Sequence, residues 1–130
     1  MKPDLKSSFS FKNRIYSFKY AIRGWLYFFR SEHNAWIQAS IAIIACALGF
    51  YLNISSIEWC IILISIGVVL ITEMLNTAIE KTIDLIHPEY YPKAGAIKDL
   101  SAGAVLLSSF IALIIGLIIF IPKIITLFKA

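Results

Sequence analysis

Four polar residues follow a long apolar segment at spacings that would place them on one face of a helix. Glu73, Asn76, Glu80 and Asp84 lie at offsets of zero, three, seven and eleven. At ~100° per residue, the last three fall within roughly 60° of Glu73. A carboxylate can accept a proton from an alcohol, and carboxylate and amide oxygens are ligands that Mg²⁺ prefers. We call these four residues the polar ridge, and predict that it supports acid–base or metal chemistry.

The position of the polar ridge along its helix separates these two roles. If the helix begins near Ile57, Glu73 lies ~24 Å and Glu80 ~34 Å along an axis that crosses ~30 Å of hydrocarbon. A carboxylate near hydrocarbon is costly and is usually retained for function, which makes Glu73 the candidate general base. Glu80, further out beside Asn76, is the candidate Mg²⁺ ligand. A solvated helix end, with Lys81 relieving repulsion between Glu80 and Asp84, is the structural alternative.

Lys98 and Asp99 stand where the chain re-enters an apolar segment, and they offer a cation for phosphate and an acceptor for a nucleotide. Neither GxxxxGK[ST] nor GxGxxG occurs in the sequence. A nucleotide enzyme of this kind would therefore bind phosphates through a metal ion and side chains. His33 and His87 are isolated from other ligand types, so a zinc site is not favoured.

The elements that position these residues are membrane helices. With 59% hydrophobic and 15% charged residues among 130, the composition excludes a soluble globular protein. We predict one integral-membrane domain, residues 1–130, with spans at about 36–52, 57–80 and 98–121. The net charge of +4 is attributed to topology and anionic lipid, with no nucleic-acid partner. Cys46 and Cys60 lie in apolar runs and predict no disulfide.

The basic residues predict the orientation of the chain in the membrane. They concentrate before the first span and between the second and third, so the N-terminus and the polar ridge should face the cytoplasm. Segment 9–30 alternates apolar residues at steps of four and three, which predicts an amphipathic helix in the headgroup layer. A cytoplasmic helix packed on protein is the alternative. The apolar residues of that face are Phe11, Ile15, Phe18, Ile22, Trp25 and Phe29.

The third span carries a small residue at every fourth position: Ala104, Ser108, Ala112 and Gly116. Small residues allow helices to approach closely in lipid, where packing drives association. Three spans form a thin bundle, so we predict association between copies of the chain. The same stripe could serve contacts within one chain.

At this point the motifs resemble those of a known family. The pattern E73-M-L-N76-T-A-I-E80-K-T-I-D84, followed by K98-D99-L-S-A-G-A-V, is similar to the signature of the small bacterial membrane kinases of the diacylglycerol kinase and undecaprenol kinase family. The resemblance extends through S31-E32-H-N34 over nearly the whole chain. It implies an all-α homotrimer of three-span subunits, each with an N-terminal surface helix, in the bacterial cytoplasmic (inner) membrane. The implied reaction transfers the γ-phosphate of MgATP to the hydroxyl of a membrane lipid.

The resemblance also implies roles for particular residues. Glu73 matches the catalytic base that contacts the lipid, Glu32 and Glu80 match the carboxylates that hold Mg²⁺ with ATP, and Asn76 and Asp84 match supporting positions. A family arginine that serves both nucleotide and lipid aligns at Asn13, with Arg14 one step away. The matches to nucleotide-contacting positions are Tyr20, Glu89, Tyr90, Tyr91, Lys98 and Asp99.

The acceptor lipid and the alternative function remain open in the sequence. The segments S-E-H-N, L-N-T-A-I-E-K-T-I-D-L and G-L-I-I-F-I-P-K are closer to the undecaprenol kinase branch than to the diacylglycerol kinase branch. Both lipids place a primary hydroxyl in the headgroup region, where their products would be undecaprenyl phosphate and phosphatidic acid. A small transporter or proton-relay subunit is the rival, but it would place carboxylates near the bilayer midplane. The spans here are apolar at that depth.

Overall fold

The structure, a computed structural model, describes residues 10–89 and 91–129, and this part of the chain is helical. Its four helices are α1 (Phe11–Ser31), α2 (His33–Tyr51), α3 (Ser56–Ile86) and α4 (Pro92–Lys129). Three of them, α2, α3 and α4, are long and apolar enough to cross a membrane. The prediction of an all-α chain with three such helices is confirmed.

A single extended residue separates α1 from α2. Glu32 has φ −120° and ψ 117°, which interrupts the helix and lets the chain change direction. The corner is held by Trp36, whose indole Nε1 donates to the Phe29 carbonyl at 2.7 Å and whose ring meets the Phe29 ring at 5.5 Å. Phe28 is buried at the same place. Glu32 is therefore fixed at the junction of the two helices.

The turn between α2 and α3 is tight and capped. Asn53 adopts φ 48°, a left-handed conformation that asparagine tolerates. The Ser55 hydroxyl accepts from the Glu58 amide at 3.3 Å, and the Glu58 carboxylate accepts from the Ser55 amide at 2.6 Å. This reciprocal capping box begins α3. The Glu58 carboxylate also meets the Lys123 ammonium of α4 at 3.1 Å.

Helices α3 and α4 form an antiparallel pair along most of their length. Contacts join 58 to 123 at one end, 72 to 108 in the middle, and 76 to 101 and then 84 to 98 towards the other end. An apolar cluster near the first end contains Ile54, Ile62, Ile119 and Phe120. This register brings the polar ridge of α3 beside the start of α4.

The small-residue stripe of the third span is partly used within the chain. Ser108 is buried, and its hydroxyl lies 2.8 Å from the Thr72 hydroxyl of α3. Ala104, by contrast, is exposed. Part of the predicted stripe therefore serves the α3–α4 pair, while another part is not covered by the chain's own helices.

Large apolar side chains remain exposed on α2, α3 and α4 of the single chain, including Ile43, Ile64 and Leu106. Such faces are expected where lipid or other protein replaces water as the surroundings. On α1, the side chains of Phe11, Phe18 and most of the predicted apolar face are also exposed. The helix contacts the rest of the chain mainly near its end, at α2.

Candidate active site

Glu73 is a carboxylate enclosed by the helices. It is 3% exposed, and its Oε2 accepts a hydrogen bond of 3.0 Å from Nε2 of Gln38 on α2. An amide N–H is a suitable partner for an ionised carboxylate, which can only accept hydrogen bonds. Because buried charge is costly without such partners, Gln38 helps to stabilise a carboxylate at this position. The candidate base thus belongs to a contact between two spans.

A short hydrogen-bonded chain lies one turn further along α3. The Ser101 hydroxyl of α4 donates to Oδ1 of Asn76 at 2.6 Å, and Nδ2 of Asn76 donates to Oε1 of Glu80 at 3.1 Å. Ser101 is buried, whereas Asn76 and Glu80 are partly exposed. Because the serine fixes the asparagine oxygen, the asparagine N–H is directed to Glu80, and the side chain of Glu80 is oriented from the neighbouring helix.

Two ion pairs extend the polar ridge to the end of the bundle. Lys98 on α4 donates to Oδ1 of Asp84. Lys81 lies 3.7 Å from Oε1 of Glu32, whose side chain is 21% exposed. The structural alternative had Lys81 relieve a Glu80–Asp84 repulsion, whereas in the structure Lys81 pairs with Glu32 and Asp84 pairs with Lys98. The Lys81–Glu32 contact places the junction between α1 and α2 beside the outer part of the polar ridge.

The donor set at this end suits a hard cation held jointly with phosphate. In residues 10–89 and 91–129, no group of three or more His, Cys, Asp or Glu side chains is arranged to hold a metal ion. Mg²⁺ usually takes only one or two protein carboxylates and completes its octahedral shell with water and substrate phosphates. Glu80 and Glu32, with partly exposed carboxylates at one end of the bundle, fit that requirement.

The remaining predicted residues are spread over two other places. Asn13, Arg14 and Tyr20 lie in the first half of α1 with exposed side chains. The side-chain contact of Tyr20 is local, with the Arg23 guanidinium 5.9 Å from its ring centre. In residues 10–89 and 91–129, no hydrogen bond or ion pair joins Asn13 or Tyr20 to the polar ridge.

The loop between α3 and α4 carries the rest. Glu89 is exposed, and the Tyr91 ring stacks on the His87 ring with centres 5.2 Å apart. This aromatic pair and Glu89 line a shallow pocket beside the end of α3. Asp99 is exposed on the first turns of α4. Tyr90 lies outside the described residues.

Thr77 is buried on α3, one turn after Glu73. Three residues of the site were not predicted from the sequence: Gln38, Thr77 and Ser101. Gln38 carried a signal, since an amide in an otherwise apolar span is costly unless it has a partner. Thr77 lies within the E-x-x-N-x-x-x-E pattern, and Ser101 lies one turn after Lys98. Nothing in a single sequence distinguishes such hydroxyls from the many that only bond their own helix.

Three membrane-length helices, with a buried carboxylate and a series of polar contacts towards one end, define a multi-pass membrane protein with a candidate active site near that end. Residues 19–120 match the family model described as "Prokaryotic diacylglycerol kinase". This match covers most of the chain. The chain therefore belongs to the prokaryotic diacylglycerol kinase family.

Named relatives agree with this assignment. The chain is 46% identical over 112 residues to the undecaprenol kinase of Bacillus subtilis, covering 85% of this chain and 91% of that protein. It is 32% identical over 116 residues to a diacylglycerol kinase of Synechocystis, covering 88% of this chain and 66% of that protein. For the diacylglycerol kinase of Escherichia coli K12, the identity is 30% over 109 residues, with coverage of 78% and 89%.

These similarities bear on the predictions made from the sequence. The predicted family is confirmed, and the predicted lipid kinase is supported over a small transporter or proton-relay subunit. The roles of individual residues remain predictions, because neither the family match nor the relatives' names address them.

Proposed function

We propose that this chain transfers the γ-phosphate of MgATP to the primary hydroxyl of a membrane lipid, as a homotrimer at the cytoplasmic face of the bacterial inner membrane. The observation that carries the proposal is the buried Glu73 carboxylate, held by Gln38 and followed along α3 by progressively more accessible polar groups. This order suits a reaction between a lipid that arrives from the bilayer and a nucleotide that arrives from water.

Glu73 is the proposed general base. The lipid hydroxyl lies beside its carboxylate, loses its proton to it, and its oxygen attacks the γ-phosphorus while the bond from that phosphorus to the bridging oxygen breaks and ADP leaves. Phosphoryl transfer needs little covalent chemistry from the protein, so positioning and charge stabilisation carry most of the catalysis. A buried base at the contact of α2 and α3 keeps the acceptor in place and excludes competing water.

The outer part of the polar ridge is the proposed nucleotide end. Glu80 and Glu32 would hold Mg²⁺, which supplies neutralisation of charge on the phosphate oxygens. Asn76 and Ser101 orient the Glu80 side chain, and Asp84 holds Lys98 near the same end. Asp99, Glu89, Tyr91 and Tyr20 are proposed to contact the nucleotide. By resemblance to the family, Tyr90 is proposed to contact the nucleotide as well. Asn13 or the neighbouring Arg14 is proposed to contact both the nucleotide and the lipid.

The environment of the chain follows from its exposed surfaces. Basic residues before α2, near the end of α3 (Lys81) and at the start of α4 (Lys93 and Lys98) favour a cytoplasmic location for both segments. The exposed apolar face of α1 supports its placement in the headgroup layer as an amphipathic surface helix. The apolar faces that α2 and α4 leave uncovered support assembly of three copies, with lipid around them.

We propose undecaprenol as the preferred acceptor, with diacylglycerol as the second candidate. The relative named undecaprenol kinase is 46% identical to the chain, whereas the Synechocystis and Escherichia coli K12 relatives named diacylglycerol kinase are 32% and 30% identical. Purified protein in lipid vesicles should be given γ-labelled ATP and each lipid separately, with and without a chelator of divalent cations. We expect Mg²⁺-dependent label in undecaprenyl phosphate. Label in neither lipid, together with proton flux across the vesicles, would support the transporter instead.

A further inference from the structure

Two buried polar atoms in the described part of the chain have no hydrogen-bond partner: Oε1 of Gln38 and Oγ1 of Thr77. Both belong to the surroundings of Glu73. Gln38 bonds directly to the Glu73 carboxylate at 3.0 Å. Thr77 follows Glu73 by four residues, one turn along α3 and about 40° around it. Thr77 and Glu73 are 5% and 3% exposed.

The missing partner of Thr77 is unusual for a hydroxyl in these helices. The Thr72 hydroxyl bonds the Val68 carbonyl at 3.0 Å, and the Thr82 hydroxyl bonds the Ala78 carbonyl at 2.7 Å. This local bond is available to threonine and serine on a helix, because the side chain can fold back on the preceding turn. Thr77 does not make it. A buried hydroxyl without a partner costs free energy, so an isosteric valine would be more favourable if folding were the only requirement.

We propose that Thr77, Glu73 and Gln38 form the subsite that receives the hydroxyl of the acceptor lipid. This inference rests on the proposed lipid kinase function and names the residues that hold its acceptor. Thr77 is assigned as the hydrogen-bond donor to the acceptor oxygen. Gln38 is assigned as a positioning residue that acts through Glu73. The missing partner of Thr77 is then supplied when the lipid binds.

The bonding requirements of an alcohol agree with this assignment. Its single hydrogen points to the base, so its oxygen must use one lone pair to attack phosphorus and has another available to accept a hydrogen bond. Thr77 supplies a donor for that lone pair. Gln38 occupies Oε2 of Glu73, which assigns the other carboxylate oxygen to the proton that the alcohol loses. The alcohol is thereby oriented from two positions on one face of α3.

The test compares two substitutions at Thr77 with the same substitution elsewhere on α3. Thr77→Val removes the hydroxyl and keeps the shape of the side chain, whereas Thr77→Ser keeps the hydroxyl. Thr82→Val is the matched control, since Thr82 is exposed and bonds its own helix. Each protein is assayed in vesicles for kcat and for KM of lipid and MgATP. Thermal stability and oligomer size are measured in detergent.

We expect Thr77→Val to lower kcat with the lipid about tenfold, the effect of losing one orienting hydrogen bond. Its KM for MgATP should stay within about twofold of the original. Its thermal midpoint should be equal or higher, because the valine removes an unpaired buried hydroxyl. Thr77→Ser should retain most of the activity, and Thr82→Val should retain all of it.

Three results would overturn the subsite. Thr77→Val could turn over lipid at the original rate, lose activity only in proportion to lost folded protein, or lose activity together with a change in oligomer size. The last two would give the hydroxyl a structural role. Failure of the unmodified protein to label any lipid would instead overturn the proposed function, and the subsite with it.

Discussion

Exchanging the two members of the Gln38–Glu73 pair would separate the position of the carboxylate from the existence of the buried hydrogen bond. The double variant Gln38→Glu/Glu73→Gln keeps one carboxylate, one amide and nearly the same volume. The donor then comes from α3 and the acceptor from α2, so the 3.0 Å contact between the helices can re-form in reverse. The charge of the chain is unchanged.

The expected effects on folding and on catalysis differ greatly in size. A hydrogen bond to a charged group contributes about 1.5–3 kcal/mol, and leaving a buried charged partner unsatisfied costs more than the about 1–3 kcal/mol of a neutral group. The double variant keeps the bond, so its free energy of unfolding should change by less than about 1 kcal/mol. Removing a positioned general base lowers the rate by about 10²- to 10⁴-fold, which corresponds to about 3–5 kcal/mol of transition-state stabilisation.

The assay measures kcat for the double variant, Glu73→Gln, Gln38→Glu and the unmodified protein, together with their thermal midpoints. We expect the double variant to be as stable as the unmodified protein and as inactive as Glu73→Gln, because its carboxylate has moved to the wrong helix. Near-normal turnover by the double variant would refute the assignment of Glu73 as the base. That outcome would mean that catalysis needs only a hydrogen bond and a negative charge in the pair, on either helix.

Two further substitutions test the structure around the site. Ser101→Ala removes the 2.6 Å hydrogen bond to Asn76. In steady-state kinetics it should raise the KM for MgATP about threefold to tenfold, with a smaller effect on kcat. An unchanged KM would show that Ser101 has no role in orienting the polar ridge. Gly49→Val should lower the free energy of unfolding by about 1–3 kcal/mol, because a Cβ at Gly49 would lie 2.9 Å from the Trp59 ring. Gly67→Ala, whose Cβ would meet no atom within 4 Å, is the control in the same thermal-unfolding experiment. A thermal midpoint of Gly49→Val equal to that of the unmodified protein would contradict the packing described.

The periodicity of the sequence was sufficient to predict which residues share a face of α3. Glu73, Asn76, Glu80 and Asp84 were placed on one helix by their spacing, and α3 does continue through all four. Hydropathy likewise predicted three apolar helices. Both inferences depend on local properties, since helical geometry fixes where a side chain lies around its own axis.

The partners of those residues could not be predicted, because they depend on how separate helices pack. Gln38 is 35 positions from Glu73 in the chain, and Ser101 is 25 from Asn76. The positions of Lys81 and Lys98 illustrate the same limit. The alternative of a solvated helix end had Lys81 offset its neighbours on α3, whereas the register of α3 and α4 brings Lys98 to Asp84, and Lys81 pairs with Glu32.

The central claim is that Glu73 acts as the general base and Glu80 as a ligand of Mg²⁺. It is tested most directly by measuring MgATP binding at equilibrium and labelled phosphate transfer in the same preparations of Glu73→Gln and Glu80→Gln. We predict that Glu73→Gln binds MgATP as tightly as the unmodified protein and transfers phosphate to lipid at least about 100-fold more slowly. Glu80→Gln should bind MgATP about tenfold more weakly or worse, because one carboxylate ligand is lost. Phosphate transfer by Glu73→Gln at the original rate, or equal loss of MgATP binding in both variants, would contradict the account.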